Sequence, residues 1–108
     1  MNTATTLIDP AALRQAAGRA VNTLKVLANE DRLLLLCQLS QGDMCVSDLE
    51  ETLDIRQPTL SQQLGVLRTE GVVNTRRDGK RIFYSVADPA VMQVLDVLYR
   101  LYCPKESA

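Results

Sequence analysis

The sequence predicts a mainly α-helical fold carrying one small β-hairpin, and three observations predict it. Apolar residues recur at spacings of 3 and 4 along most of the chain, the period of helices with one buried face. That period breaks after Gly71, where V-V-N-T-R-R and K-R-I-F-Y-S-V flank Asp78-Gly79, a dipeptide suited to a tight hairpin turn. Before the break, Ser47 and Pro58 mark the starts of two short helices with only a few residues between them.

In chain order, a first helix runs from about Pro10 to Ala28. Its Leu13, Ala17, Ala20, Leu24 and Leu27 are spaced 4, 3, 4 and 3 apart, a heptad-like stripe for packing on another helix, which can belong to a second subunit. Asn29 caps the second helix, with Glu30 and Asp31 favourable in its first turn. It continues through R-L-L-L-L-C-Q-L-S to Gly42, and leucines on all sides make it the buried central helix. Ser47 and Glu50 have capping-box spacing and open a short third helix, S-D-L-E-E-T-L, that ends near Asp54. The turn D-I-R-Q leads to a fourth helix with Pro58 in its first position. Two short helices joined by a tight turn form a helix-turn-helix. After the hairpin, a last helix follows Asp88, with Pro89 first and Val91, Val94, Leu98 and Leu101 as a second stripe. The whole is a winged helix-turn-helix of about five helices plus a two-stranded wing, expected to be dimeric through the candidate stripes of its first and last helices. It forms a single domain, 1–108, with 1–9 and 104–108 as loose termini.

The fourth helix is built to touch something. Leu60, Leu64 and Leu67 bury one side, while Pro58, Thr59, Ser61, Gln62 and Gly65 point away from it. That outward face is neutral and hydrogen-bonding, where a merely solvated helix carries Lys and Glu. Glutamine and serine can pair with base edges in a DNA major groove, which is wide enough to admit a helix. The net charge of −1 argues weakly against nucleic acid, but its distribution reverses the argument. Asp43 to Asp54 holds five acids and no base, whereas Arg56 to Arg81 holds six bases against Glu70 and Asp78, a net of +4. Arg76, Arg77, Lys80 and Arg81 crowd the hairpin tip. Like charges opposed across a hairpin cost stability, so phosphates are the expected neutralising partner. The plainer alternative is a solvated charged face.

Composition narrows the class further. With 46% hydrophobic residues, 23% charged residues and no apolar run near ~18, a membrane span is not expected. The first ten residues lack the basic and apolar stretches of a secretory signal, so the expected location is the cytoplasm, with reduced thiols. There is no histidine to act as a base and no C-x-x-C pair, which sets a thiol enzyme aside. No cofactor is expected.

Taken together, these segments resemble the ArsR/SmtB family of bacterial winged helix-turn-helix repressors over about Gln15 to Cys103. The resemblance rests on L-A-N-E-D-R-L at Leu27–Leu33, I-R-Q-P-T-L-S-Q-Q-L-G-V-L-R at Ile55–Arg68 and the wing G-V-V-N-T-R-R-D-G-K-R-I-F-Y-S-V at Gly71–Val86. It implies a homodimer on a double-stranded operator with inverted repeats. By position, Gln57, Pro58, Thr59, Ser61 and Gln62 are the base-reading candidates, with Arg76, Arg77, Lys80 and Arg81 on the backbone.

Many members of that family bind metal through C-V-C-D-L at the start of the third helix. Here the stretch reads Cys45-Val46-Ser47-Asp48-Leu49, one thiolate short, and a second family site needs histidines that this chain lacks. No metal site is therefore expected. Cys37 and Cys103 resemble the paired thiols of the BigR/SqrR/HlyU-like subgroup. The resemblance implies that reactive sulfur species link them within one subunit, which weakens DNA binding. Such chemistry requires an accessible thiolate and a resolving partner, and Arg100 and Lys105 are expected to favour the Cys103 thiolate. Taken alone, Cys37 reads more readily as core filling, Cys45 as a structural bystander, and Tyr99 and Tyr102 as packing residues, with shaping the pocket around the thiols as their alternative. The competing effectors are general oxidants or a soft metal such as arsenite, which prefers three thiolates and would need Cys45 to join the other two.

Overall fold

The computed structural model describes residues 8–103; of the expected loose termini, 1–9 and 104–108, all but residues 8 and 9 lie outside them. Asp9 caps the first helix, α1 (Pro10–Leu27), by accepting the Ala12 N–H at 3.1 Å, and Pro10 occupies its first turn. Only Val26 and Leu27 of α1 are buried, and Leu13, Val21 and Leu24 stay 53%, 45% and 58% exposed. Asn29 caps α2 (Glu30–Leu39), its Oδ1 accepting the Arg32 N–H at 3.0 Å. Leu35, Leu36 and Leu39 are buried, but Leu34 is 40% exposed, so α2 is not enclosed on every side as its leucines imply. It borders a groove on the side of the last helix.

The third helix corrects a sequence expectation. Met44–Cys45 forms a short strand, β1, and the helix that follows, α3 (Val46–Leu53), starts directly after it with Cys45 as its cap residue. Ser47 therefore lies in the first turn and caps nothing; its hydroxyl sits 3.3 Å from the Cys45 sulfur. The strand fixes the chain up to Cys45, which leaves no room for a later start. Asp54 ends α3 in the left-handed region at φ 55, its N–H donating to Glu50 O at 3.0 Å. The fourth helix, α4 (Thr59–Thr69), begins one residue later than predicted, with Pro58 just before it. At its far end Gly71, at φ 74, donates to Arg68 O and Val72 donates to Leu67 O, a Schellman closure that turns the chain sharply into the sheet.

The wing has three strands rather than two. β2 (Val73–Asp78) and β3 (Arg81–Val86) form the expected hairpin, and β1 adds to it through Met44↔Tyr84 and Cys45↔Phe83 in the order β1-β3-β2. A two-residue strand is too short for alternation to reveal it in the sequence. The turn also differs: Asp78 pairs with Arg81, so the loop is Gly79-Lys80, with Gly79 at φ 65. Glycine first is the type II′ pattern, not type I′. This register sets Val73 opposite Val86 towards the core, and a slip by one residue would turn both away.

Asp88 caps α5 (Pro89–Tyr102), accepting the Ala90 N–H at 2.9 Å. Val91 and Leu95 are buried, whereas Val97, Tyr99, Leu101 and Tyr102 are exposed. The core gathers Leu35 and Leu36 of α2, Leu49 of α3, Leu60, Leu64 and Leu67 of α4, and Val91 of α5. Each such leucine contributes about 1.5–3 kcal/mol by burial. No buried side-chain polar atom among the described residues lacks a partner. No helix among them is long and apolar enough to cross a membrane.

Candidate functional site

Burial of Leu60, Leu64 and Leu67 fixes the rotation of α4 and turns Ser61, Gln62 and Gly65 outward, with Pro58 exposed ahead of them and Thr59 half-buried. Gln57 and Ser61 are joined: Gln57 Oε1 accepts both the Ser61 N–H at 3.1 Å and the Ser61 hydroxyl at 2.7 Å. Gln57 thereby caps α4 from outside the helix, a role its sequence position does not reveal. Its Nε2 remains to donate outward. The side-chain amide of Gln62 makes no hydrogen bond among the described residues and stands free for an external partner with both donor and acceptor.

The four basic wing residues divide into two kinds. Arg76 is braced: it pairs with Asp43 at 3.5 Å and Asp78 at 4.0 Å, and its guanidinium lies 4.8 Å from the centre of the Phe83 ring directly across the hairpin. Arg77, Lys80 and Arg81 are exposed and make no ion pair among the described residues. The like-charge repulsion expected from the sequence does not arise, because Arg77 opposes Ile82, Arg76 opposes Phe83 and Arg81 opposes Asp78. Two further exposed cations flank α4, Arg56 before it and Arg68 in its last turn. Neither was singled out from the sequence; the excess of base from Arg56 to Arg81 was the available signal.

A second site lies between α2 and α5. A groove of about 580 Å³ opens there, with Leu34, Met92, Leu95 and Tyr99 among its walls and both Cys37 and Cys103 on its surface. Cys37 is half-buried in α2 and Cys103 is exposed just past the end of α5; neither is in a disulfide. Burial, and then the nearby negative charge of an ionised Cys103, pushes the Cys37 thiol up from its ordinary value. Arg100, expected to act on Cys103, instead pairs with Asp96 at 3.4 Å, and Lys105 lies outside the described residues. Cys45 is apart from this pair. It is 2% exposed, and its thiol donates to Asp48 Oδ2 at 3.2 Å beside Ser47. Among the described residues, no three Cys, Asp or Glu side chains gather as a metal would require.

The fold and the outward face of α4 define a winged helix-turn-helix DNA-binding regulator. Residues 29–75 match the family described as "Bacterial regulatory protein, arsR family". The biofilm growth-associated repressor of Agrobacterium fabrum is 48% identical over 95 residues, covering 88% of this chain and 81% of that protein. The transcriptional activator HlyU of Vibrio cholerae is 38% identical, covering 84% of each chain. The crystal structure of the transcriptional repressor BigR from Xylella fastidiosa superposes with a TM-score of 0.82 at 41% identity, covering 91% of this chain and all of that one. The chain belongs to the ArsR family.

Proposed function

We propose that this protein is a homodimeric transcriptional repressor that reads an inverted-repeat operator with α4 and the wing and leaves it when reactive sulfur links Cys37 to Cys103. The observation that carries the sensing role is the shared groove: a reachable thiol at the end of α5 and a half-buried thiol on α2 border one opening. Similarity to the biofilm growth-associated repressor of Agrobacterium fabrum and to BigR supports the repressor reading. Exposed apolar stripes on α1 and α5 support the dimer.

The order of steps follows from exposure. The Cys103 thiolate attacks the sulfane sulfur of a hydropersulfide, expels the carrier thiolate and becomes a persulfide. The Cys37 thiolate then attacks the Cys103 sulfur and expels hydrosulfide, leaving a disulfide. Further sulfur transfer before closure lengthens the chain on Cys103, and Cys37 then closes a bridge with inserted sulfur, again releasing hydrosulfide. Inserted atoms span a wider gap than a direct bond, which needs Cα atoms within about 7 Å.

Cys45 stands against a three-thiolate site, since it is buried beside Asp48 and away from the groove. Mass spectrometry after separate exposure to sodium tetrasulfide, hydrogen peroxide and arsenite tests the proposal. Sulfur added between Cys37 and Cys103 within one chain supports it. An arsenic adduct with no sulfur bridge contradicts it.

A further inference from the structure

Gly65 occupies the outward face of α4 for no reason internal to the chain. A Cβ placed there meets no heavy atom within 4 Å, and the backbone is ordinary right-handed helix. Glycine inside a helix is less stable than alanine, because it has more backbone freedom to lose. The chain thus keeps a weakening residue in the helix that faces its partner.

At Gly65 lies a shallow hollow of about 370 Å³, bordered also by Gln62, Val66, Thr69 and Glu70. Val66, 37% exposed, is the one exposed large apolar side chain of α4. Glu70 puts a negative charge at the rim, which repels a phosphate and leaves an uncharged group as the occupant. Exposed Arg56, Arg68, Arg77, Lys80 and Arg81 suit a polyanion around it.

We propose that Gln62, Gly65 and Val66 read one adenine–thymine pair from the major groove. The Gln62 amide pairs with adenine N6 and N7, and the thymine C5-methyl group enters the recess left by Gly65 against the Val66 side chain. In that groove an A·T pair presents the adenine acceptor and donor and the thymine methyl side by side. Residues three apart on a helix carry their Cβ positions about 5–6 Å apart, so the amide and the recess can meet both halves of one pair. A G·C pair would set the cytosine amino group against Val66 and leave the recess without a methyl. The inference rests on the reading of α4 as the DNA-contacting helix.

The probe is a duplex selected by the wild-type protein from a randomised library, with binding followed by fluorescence anisotropy. Replacing each thymine in turn by deoxyuridine removes only its methyl group. One symmetry-related pair of positions should weaken binding about fourfold per half-site, the worth of one buried methyl. Gly65→Ala should bind the thymine duplex about tenfold more weakly, because its Cβ takes the place assigned to the thymine methyl. It should lose the distinction between thymine and deoxyuridine, yet melt about 4 °C higher than wild type. Val66→Ala, which removes one wall, should also lose that distinction. Wild-type affinity in Gly65→Ala, or no effect of deoxyuridine at any position, overturns the proposal while leaving the α4 reading intact. A wild type that selects no sequence at all defeats both.

Discussion

At Cys37 the surroundings oppose the thiolate, through burial first and the charge of Cys103 second. Between the ordinary thiol value and the raised one, the folded chain keeps a proton that the unfolded chain has released. The stability held at lower pH therefore declines as pH climbs through that window. In the proposed switch, the same shift would make closure of the bridge favoured by base. In Cys103→Ser the smaller cause is removed and the larger remains, so alkylation of Cys37 by iodoacetamide should half-saturate at higher pH than in the urea-unfolded chain. Equal midpoints would show that burial does not control this thiol. Single residues were legible in the sequence where their role is local. Asn29 caps as expected, the last helix starts after Asp88, and Leu60, Leu64 and Leu67 are buried. Roles set by distant partners were not legible: Arg76 is held by Asp43, 33 residues away, and Ser47 loses its capping role to a strand pairing with Tyr84 and Phe83.

Between elements, Arg32 joins the end of α1 to α4. Its Nε donates to Val26 O at 2.7 Å, one terminal nitrogen donates to Lys25 O at 3.1 Å and the other to Gln63 Oε1 at 3.0 Å. The guanidinium thus satisfies carbonyls at the α1 C-terminus, where the helix dipole favours a cation, and grips the residue next to Gln62. Arg32→Met and Gln63→Met should each destabilise the fold, Arg32→Met by about 1–3 kcal/mol, since it removes three hydrogen bonds donated by a charged group. The double variant should cost less than the sum by at least about 0.5 kcal/mol in urea unfolding. Strict additivity would mean that the contact carries no coupling. The sequence disclosed α1 and α4 through their periodicity, but nothing in it linked Arg32 to Gln63. The hairpin was legible for the same reason as the helices. Its one-residue shift in turn position was not, because the register is decided by which valines face the core.

On the scale of the whole molecule, α1 is an 18-residue helix that buries only its last two apolar residues, and the radius of gyration is 16.4 Å. A compact domain of this length has about 13 Å. The projecting α1 and the exposed face of α5 are the surfaces a second copy would cover. Leu24 is exposed within one chain, so Leu24→Glu should keep its helices by circular dichroism while sedimenting as a monomer, with binding to an inverted repeat reduced about a hundredfold. A folded wild type that sediments as a monomer at micromolar concentration would contradict the interface. Linking Cys37 on α2 to Cys103 beyond α5 would then tie the core to that interface and alter the spacing of the two α4 helices, which must meet half-sites about one DNA turn apart. The most direct measurement is the affinity of reduced and tetrasulfide-treated protein for a library-selected duplex, in wild type, Cys37→Ser, Cys103→Ser and Cys45→Ser. All four should bind alike when reduced, and only wild type and Cys45→Ser should release the duplex after treatment. Release by Cys103→Ser as complete as that of wild type would contradict the dithiol switch.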